Sequence, residues 1–129
     1  AVSSLRAGAI HVSLFIDPER SGLDQAAALG VPAIELHTGR YAANWRRPGP
    51  LNELRRAATH AKGLGLAVHA GHGLTYQNVQ PVAAIPEIEE LNIGHSIVSN
   101  SVFWGIEEAV RRMRELVDSA ISHQPSAGR

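Results

Sequence analysis

Hydrophobic and polar residues alternate in four short segments of this chain, each followed by proline, glycine or polar residues. The segments are 11–17 (HVSLFID), 33–37 (AIELH), 66–70 (LAVHA) and 90–93 (ELNI). A period of two is typical of β-strands, because successive side chains of a strand point to opposite faces. The pattern therefore predicts four strands, separated by the breaker residues that follow each of them.

Between these strands, apolar residues recur every three or four positions, which is the spacing of amphipathic helices. Helices are predicted over 21–29, 51–64 and, more weakly, 78–85, and the longest follows the fourth strand. The predicted buried stripe of that last helix comprises Val102, Ile106, Ala109, Val110, Met113, Leu116, Val117 and Ile121. Residues 38–50 hold two glycines, two prolines and no sustained period, so they are predicted to form a long loop. The polar residues 123–129 are predicted to form a frayed tail.

Four strands that alternate with helical segments are typical of a parallel sheet with covering helices. A (β/α)8 barrel takes roughly 250 residues, or about 31 for each strand and helix. A chain of 129 residues therefore holds about four such units. The sequence predicts an α/β fold with a parallel sheet, and residues 1–129 could form a single half-barrel segment of the TIM-barrel type.

Composition narrows the classes of function. Twelve basic and twelve acidic residues give a formal net charge of zero, so the chain has no broad electrostatic field to attract nucleic acid or an anionic membrane. Any anion-binding site must therefore be local. The chain has no cysteine, and its first residues resemble neither a secretion signal nor a membrane span, so a cytoplasmic location is expected.

Candidate chemistry lies at the carboxyl ends of the predicted strands, where parallel α/β folds bind their ligands. The residues there are Asp17, Glu35, His37, His69, His72, Gly73, Gly94 and His95. Histidine exchanges protons near neutral pH, and glycine lets backbone N–H groups approach an anion. The sequences GHG at 71–73 and GHS at 94–96 therefore favour a phosphate-binding site, although such glycines also occur in turns that need only a positive φ.

Glu35 and the histidines leave further interpretations open. A carboxylate on the inner side of a strand needs either a function or a firm partner, such as arginine or a charged histidine, because its burial is costly. His69 and His72 form an H-x-x-H pair that, with Glu35 and His95, could hold the divalent metal of a hydrolase. The sequence has no HExxH motif and no cysteine ligand, so no metal ligand is assigned.

Four longer segments carry a more specific signal. They are VSLFID (12–17), IELHTGRYA (34–42), AGHGLTYQNV (70–79) and ELNIGHSIVSNSVFWGIEEAV (90–110). Together they resemble the second half of the pyridoxine 5'-phosphate synthase family. The resemblance implies a (β/α)8 barrel and a transferase that condenses 3-amino-2-oxopropyl phosphate with 1-deoxy-D-xylulose 5-phosphate to pyridoxine 5'-phosphate, in vitamin B6 biosynthesis. It implies no metal or organic cofactor, since the amine of one substrate supplies the Schiff base.

The resemblance also implies roles for individual residues. His72 matches the family's proton donor, and Glu35 matches the glutamate that supports the transition state. The positions that bind substrate phosphate are matched by Gly73, Gly94 and His95. No role in the family falls on His37 or His69.

The family's other acid–base residues and its substrate-binding arginines belong to its first four strand–helix units, which have no counterpart in this sequence. Three arrangements are consistent with such a half barrel: a fragment of a longer enzyme, a pair of copies that closes a barrel, or a complex with a subunit that carries the missing strands. The resemblance also implies a homo-octamer. The chain is therefore expected either to form a homo-oligomer or to bind a partner subunit that supplies the missing half barrel. A non-catalytic phosphate-binding or assembly module is the alternative function.

Overall fold

The computed structural model describes residues 1–122, and the predicted tail at 123–129 lies outside the described residues. Its strands are β1 (Ser13–Ile16), β2 (Ala33–His37), β3 (Ala67–Gly71) and β4 (Ile88–Asn92). Its helices are α1 (Val2–Ala7), α2 (Arg20–Ala28), α3 (Gly39–Ala43), α4 (Pro48–Gly63), α5 (Val79–Ala83), α6 (His95–Trp104) and α7 (Ile106–Ser122). Within this part of the chain, none of the helices is long and apolar enough to cross a membrane.

All four strands are parallel and form one sheet in the order β1-β2-β3-β4. Each strand therefore pairs with the strands that precede and follow it in sequence, and a helix connects each pair. A strand followed by a helix is the repeating unit of a (β/α) barrel. One row of residues aligned across the sheet consists of Phe15, Glu35, His69 and Glu90. The predicted α/β fold, half of a TIM barrel, is confirmed.

The two faces of the sheet differ in polarity. One face packs under the helices and contributes the fully buried Ile34, Leu36, Val68 and Ala70 to the core. From the helices, this core receives Leu23, Leu54, Ala58 and Ala61 among others. The opposite face carries the aligned row from Phe15 to Glu90 together with His37 and Asn92, and these residues are partly or fully exposed. Period-two alternation produces this division, and the polar face is the one that a closed barrel would enclose.

The prediction of a long loop over residues 38–50 is wrong. Helix α3 occupies Gly39–Ala43, and α4 already begins at Pro48. Proline suits the first turn of a helix, because its missing N–H would have no intrahelical partner there. Tyr41 of α3 is buried in the core. Packing of Tyr41 into the core therefore stabilises α3. A helix of five residues is too short to give a periodic signal in the sequence.

The prediction of one long helix after β4 is wrong as well. Gly105, with a φ of 80°, separates α6 from α7. Of the predicted buried stripe, Ala109 and Met113 are indeed buried, whereas Val102 is 80% exposed. The other exposed members of the stripe are Ile106, Val110 and Ile121. The chain changes direction at Gly105, a conformation that glycine adopts readily, so residues on either side of it do not share one helical face.

Candidate active site

A pocket of about 680 Å³ opens at the carboxyl ends of the strands. The predicted site residues that line it are Glu35, His72, Gly73, Gly94 and His95. They belong to β2, to the turn after β3 and to the segment after β4. Because parallel pairing brings the ends of these strands to the same edge of the sheet, the structure gathers all five residues in one place.

His72 stands on an unusual backbone. Its φ is 86°, and Gly73 follows with a φ of 75°. For a residue with a Cβ atom, this left-handed region costs roughly 1–2 kcal/mol. The fully buried Thr38 lies beneath this turn, with its Oγ1 2.7 Å from the Gly71 carbonyl oxygen and 2.5 Å from the His72 carbonyl oxygen. The single hydroxyl hydrogen is shared between these two carbonyl oxygens, and it holds the turn that places His72 at the pocket.

Two buried polar residues hold the far side of the same turn. The Asn78 side-chain oxygen accepts a hydrogen bond from the Thr75 N–H at 2.7 Å, and its amide donates to the Gly73 carbonyl at 3.2 Å. The Tyr41 hydroxyl donates to the Asn78 carbonyl at 2.7 Å. Burial raises the pKa of Tyr41, which favours the protonated donor. Sequence spacing gave no signal for this contact, because Tyr41 and Asn78 are 37 positions apart.

Glu35 is half-buried, and its partner is an amide group. The Asn92 Nδ2 donates to Glu35 Oε2 at 2.9 Å. Gly71 of β3 lies between the two, and a Cβ atom there would overlap Glu35 Oε1 and approach the Asn92 carbonyl oxygen to 3.0 Å. None of the ion pairs within residues 1–122 uses Glu35. The alternative interpretation of Glu35 as half of a structural salt bridge is therefore not supported, and the carboxylate faces the pocket without a cationic partner.

The opposite wall of the pocket is the start of helix α6. Gly94 caps this helix, and His95 and Ser96 are its first residues. The N–H groups of a first helical turn have no carbonyl partner inside the helix, and with the helix dipole they favour a bound anion. Ser99 and Asn100, which sequence analysis does not single out, also line the pocket. Their spacing of three and four positions from Ser96 is the signal that places them on the same helical face.

His37 and His69 lie on the polar face of the sheet and do not line the pocket. His37 Nδ1 is 3.2 Å from Asp17 Oδ1, and the His37 ring centroid is 4.6 Å from that of His72. His69 Nδ1 lies 3.9 Å from Glu90 Oε1. Across residues 1–122, no three histidine or carboxylate side chains converge closely enough to hold a metal ion. The metal-site interpretation of the H-x-x-H pair therefore lacks a ligand set.

Comparison with known proteins agrees with this geometry. A family model described as pyridoxal phosphate biosynthesis protein PdxJ matches residues 1–119. The chain is 48% identical over 123 residues to the pyridoxine 5'-phosphate synthase of Rhodospirillum rubrum. The aligned residues cover 93% of this chain and 49% of that relative.

Two further relatives carry the same name. The protein of Zymomonas mobilis is 50% identical over 92% of this chain and 47% of its own length. The protein of Thioalkalivibrio sulfidiphilus is 51% identical over 90% of this chain and 48% of its own length. The chain thus spans about half the length of the curated relatives it matches. A family match over nearly all the described residues, together with identities near one half, shows that this chain belongs to the PdxJ family of pyridoxal phosphate biosynthesis proteins.

Proposed function

We propose that this chain forms one half of the active site of a pyridoxine 5'-phosphate synthase. In this proposal the complete site condenses 3-amino-2-oxopropyl phosphate with 1-deoxy-D-xylulose 5-phosphate, a transferase reaction of vitamin B6 biosynthesis. The observation that carries the proposal is the gathering of Glu35, His72, Gly73, Gly94 and His95 around one pocket. The names of relatives that are 48–51% identical to the chain support the choice of reaction.

The wall formed by Gly73 and the start of α6 binds the phosphate of the amino ketone. The first-turn N–H groups of α6, beginning at Gly94 and His95, supply several donors with a favourable dipole. Gly73 has a φ of 75°, and a Cβ atom there would lie 2.7 Å from Ala42 Cβ, so glycine lets this turn pack against α3 at the edge of the pocket. The chain's net charge of zero makes such a local cradle necessary, since no broad positive field attracts the substrates.

His72 and Glu35 act on the reacting groups. The His72 imidazolium donates its proton either to a leaving hydroxyl group, which departs as water during dehydration, or to a carbonyl oxygen, which becomes a hydroxyl group during ring closure. Glu35 stabilises the cationic, imine-like intermediates by its negative charge. The support for this second role is that Glu35 accepts a hydrogen bond from the neutral amide of Asn92 and forms no ion pair within residues 1–122.

The proposal extends to partners and location. The ligands are the two small phosphorylated substrates, and the Schiff base forms on the substrate's own amine, so no metal or organic cofactor takes part. The remaining acid–base residues come from further strands, supplied within a homo-oligomer or by a partner that completes the barrel. The reaction takes place in the cytoplasm.

A chimeric enzyme tests the function. The chain replaces the matching half of the Rhodospirillum rubrum relative, to which it is 48% identical, and formation of pyridoxine 5'-phosphate is measured from both substrates. We expect the chimera to turn over. His72→Ala should lower kcat by about 10²- to 10⁴-fold, the usual contribution of a general acid, with the affinity for inorganic phosphate nearly unchanged.

The matched control is His60→Ala. His60 lies on α4, away from the pocket, and its imidazole forms a hydrogen bond with the Asp24 carboxylate. This variant should therefore keep the turnover of the unsubstituted chimera. Turnover that survives His72→Ala would show that another group donates the proton. A folded chimera that binds phosphate but forms no product in any version would favour the alternative, a non-catalytic phosphate-binding module.

A further inference from the structure

Asp17 and His37 form a line of contacts that ends on His72. Asp17 Oδ1 lies 3.2 Å from His37 Nδ1. The ring centroids of His37 and His72 are 4.6 Å apart at an interplanar angle of 42°. Phe15 meets the His37 ring edge-on at 5.0 Å and lies 6.4 Å from the His72 ring. Three rings and one carboxylate, from the ends of β1, β2 and β3, therefore form one array.

These ring contacts orient the His72 side chain. Thr38 fixes the backbone of the turn, but within residues 1–122 the structure records no hydrogen bond to the His72 imidazole itself. Of its neighbours, the His37 ring is the nearer one, and Phe15 packs against both. Rotation of the His72 ring is therefore restricted by the His37 ring.

Gly39 shows that the fold provides room for this ring pair. A Cβ atom on Gly39 would lie 2.8 Å from His37 Cε1 and 3.2 Å from His72 Cδ2, which is closer than ordinary van der Waals contact. Gly63, at the end of α4, has nothing within 4 Å of the same position. The imidazole rings of His37 and His72 thus pack against the backbone of Gly39, and a larger residue at this position would displace both rings.

The Asp17–His37 contact orients the His37 ring but contributes little to the stability of the fold. The side chains are 71% and 32% exposed, and ion pairs between exposed groups contribute little to the free energy of unfolding. A carboxylate acceptor on one ring nitrogen does, however, fix the tautomer and orientation of an imidazole. Asp17 therefore determines how the His37 ring faces His72.

We propose that Asp17 and His37 are positioning residues, which hold the His72 imidazole toward the pocket for proton transfer. The proposal rests on the proposed function, in which His72 is the proton donor. Asp17 accepts the Nδ1–H of His37, this bond fixes the His37 ring, and the fixed ring confines that of His72. The proton itself moves only from His72 to the substrate.

The orientation of His72 is measured first on the chain itself, without substrate. Nuclear Overhauser contacts between the His37 and His72 ring protons report their packing, and the shifts of the His72 ring protons report the nearby rings. We expect His37→Ala and Asp17→Ala to move the His72 signals toward those of a freely rotating histidine. Asp17→Asn keeps an acceptor oxygen and should preserve the original signals.

The matched control for this measurement is His60→Ala. It removes a second Asp–His contact, in which His60 Nε2 lies 2.7 Å from Asp24 Oδ1, away from the pocket. The His72 signals should be unchanged in this variant. Gly39→Ala should displace them, whereas Gly63→Ala, which has open space, should not.

The kinetic measurement uses the chimera described above. His37→Ala should lower kcat by about 10- to 100-fold, the range expected for lost orientation of a catalytic group. The KM values of both substrates should stay within about twofold, because the phosphate cradle is untouched. Asp17→Asn should restore most of the kcat that Asp17→Ala loses, a recovery that a defect in folding would not show.

Two results would overturn the positioning role: His72 ring signals that are unchanged in Asp17→Ala, which leaves both rings in place, or a kcat that is unchanged in His37→Ala. A lack of turnover in the unsubstituted chimera would overturn the proposed function and with it the catalytic meaning of the array. Because the ring measurements need no turnover, the two failures are distinguishable.

Discussion

Thr38 is the side chain on which the shape of the His72 turn depends. It is fully buried, and its hydroxyl is shared between the carbonyl oxygens of Gly71 and His72. Thr38→Val keeps the side-chain shape but removes the hydroxyl donor. The Gly71 carbonyl oxygen still accepts the Thr38 N–H at 2.8 Å, so only the part-buried His72 carbonyl loses this partner, at a cost of about 1 kcal/mol. We expect the free energy of unfolding, measured by urea denaturation, to fall by that amount.

Thr59→Val is the matched control for this substitution. Thr59 is exposed on α4, and its hydroxyl oxygen lies 3.0 Å from the Arg55 carbonyl oxygen and 2.8 Å from Glu87 Oε1. The change in unfolding free energy should stay within about 0.5 kcal/mol there. Equal losses in the two variants would argue against a special role of Thr38 in the turn.

Five of the residues that line the pocket could be predicted from the sequence, but its other lining residues and the contacts that hold the site in place could not. Glu35 lies on the inner side of the predicted second strand and His72 just after the third, and the carboxyl ends of parallel strands meet at one edge of the sheet. Asn92 and Tyr41 reach partners that are 57 and 37 positions away. Such contacts depend on strand register and on the packing of a short helix, and neither leaves a periodic signal.

Helix α7 carries a charge cluster that makes its stability depend on pH. The Glu108 carboxylate accepts hydrogen bonds from Arg111 at 2.6 Å and from Arg112 at 2.6 Å. These bonds, those of Arg111 first, hold the pKa of Glu108 below its ordinary range. A carboxyl group whose pKa is lowered in the folded state stabilises the fold above its unfolded-state pKa, and that stabilisation is lost as the pH falls through the lowered value.

We therefore expect Glu108→Gln to lower the Tm at neutral pH. The difference from the unsubstituted chain should disappear in acid and shrink in high salt, because the pair is screened by ions. Circular dichroism melts over a series of pH values check this. Glu107→Gln is the control, since Glu107 shares the first turn of α7 but forms no ion pair within residues 1–122. A Glu108→Gln effect that is the same at every pH would refute the electrostatic explanation.

Element types could be predicted more reliably than helix boundaries. β2 occupies the predicted residues 33–37, and each of the other strands overlaps its predicted segment. Helices α1 and α3 have six and five residues, which is too short for a helical period to stand out from the surrounding sequence. The break at Gly105 could not be predicted, because the apolar spacing continues across this residue although the helix ends there.

At the scale of the whole molecule, the described residues leave the sheet open on three sides. β1 and β4 each have one neighbouring strand, and unpaired parallel edges favour pairing with another chain. The polar face is uncovered, as described above. A groove of about 650 Å³ beside β4 is lined mainly by apolar side chains, among them Leu91, Val110 and Val117. Such exposed apolar surface is typical of an interaction site.

We therefore expect the purified chain to associate. Sedimentation velocity should give a mass of at least twice 13.8 kDa at micromolar concentration. Val110→Asp, which places a charge in the groove beside β4, should shift the chain toward smaller species. A folded monomer at every concentration would show that the open edges and the groove do not drive association.

The phosphate site that we propose at Gly73 and the start of α6 is tested most directly by a titration followed by nuclear magnetic resonance. Inorganic phosphate is added to the ¹⁵N-labelled chain, with chloride as the control for ionic strength. We expect saturable shifts that chloride does not reproduce and that are concentrated on the amides of Gly73, Gly94, His95 and Ser96. Signals of a folded chain that do not respond at these amides, or that respond equally to chloride, would contradict the proposed site.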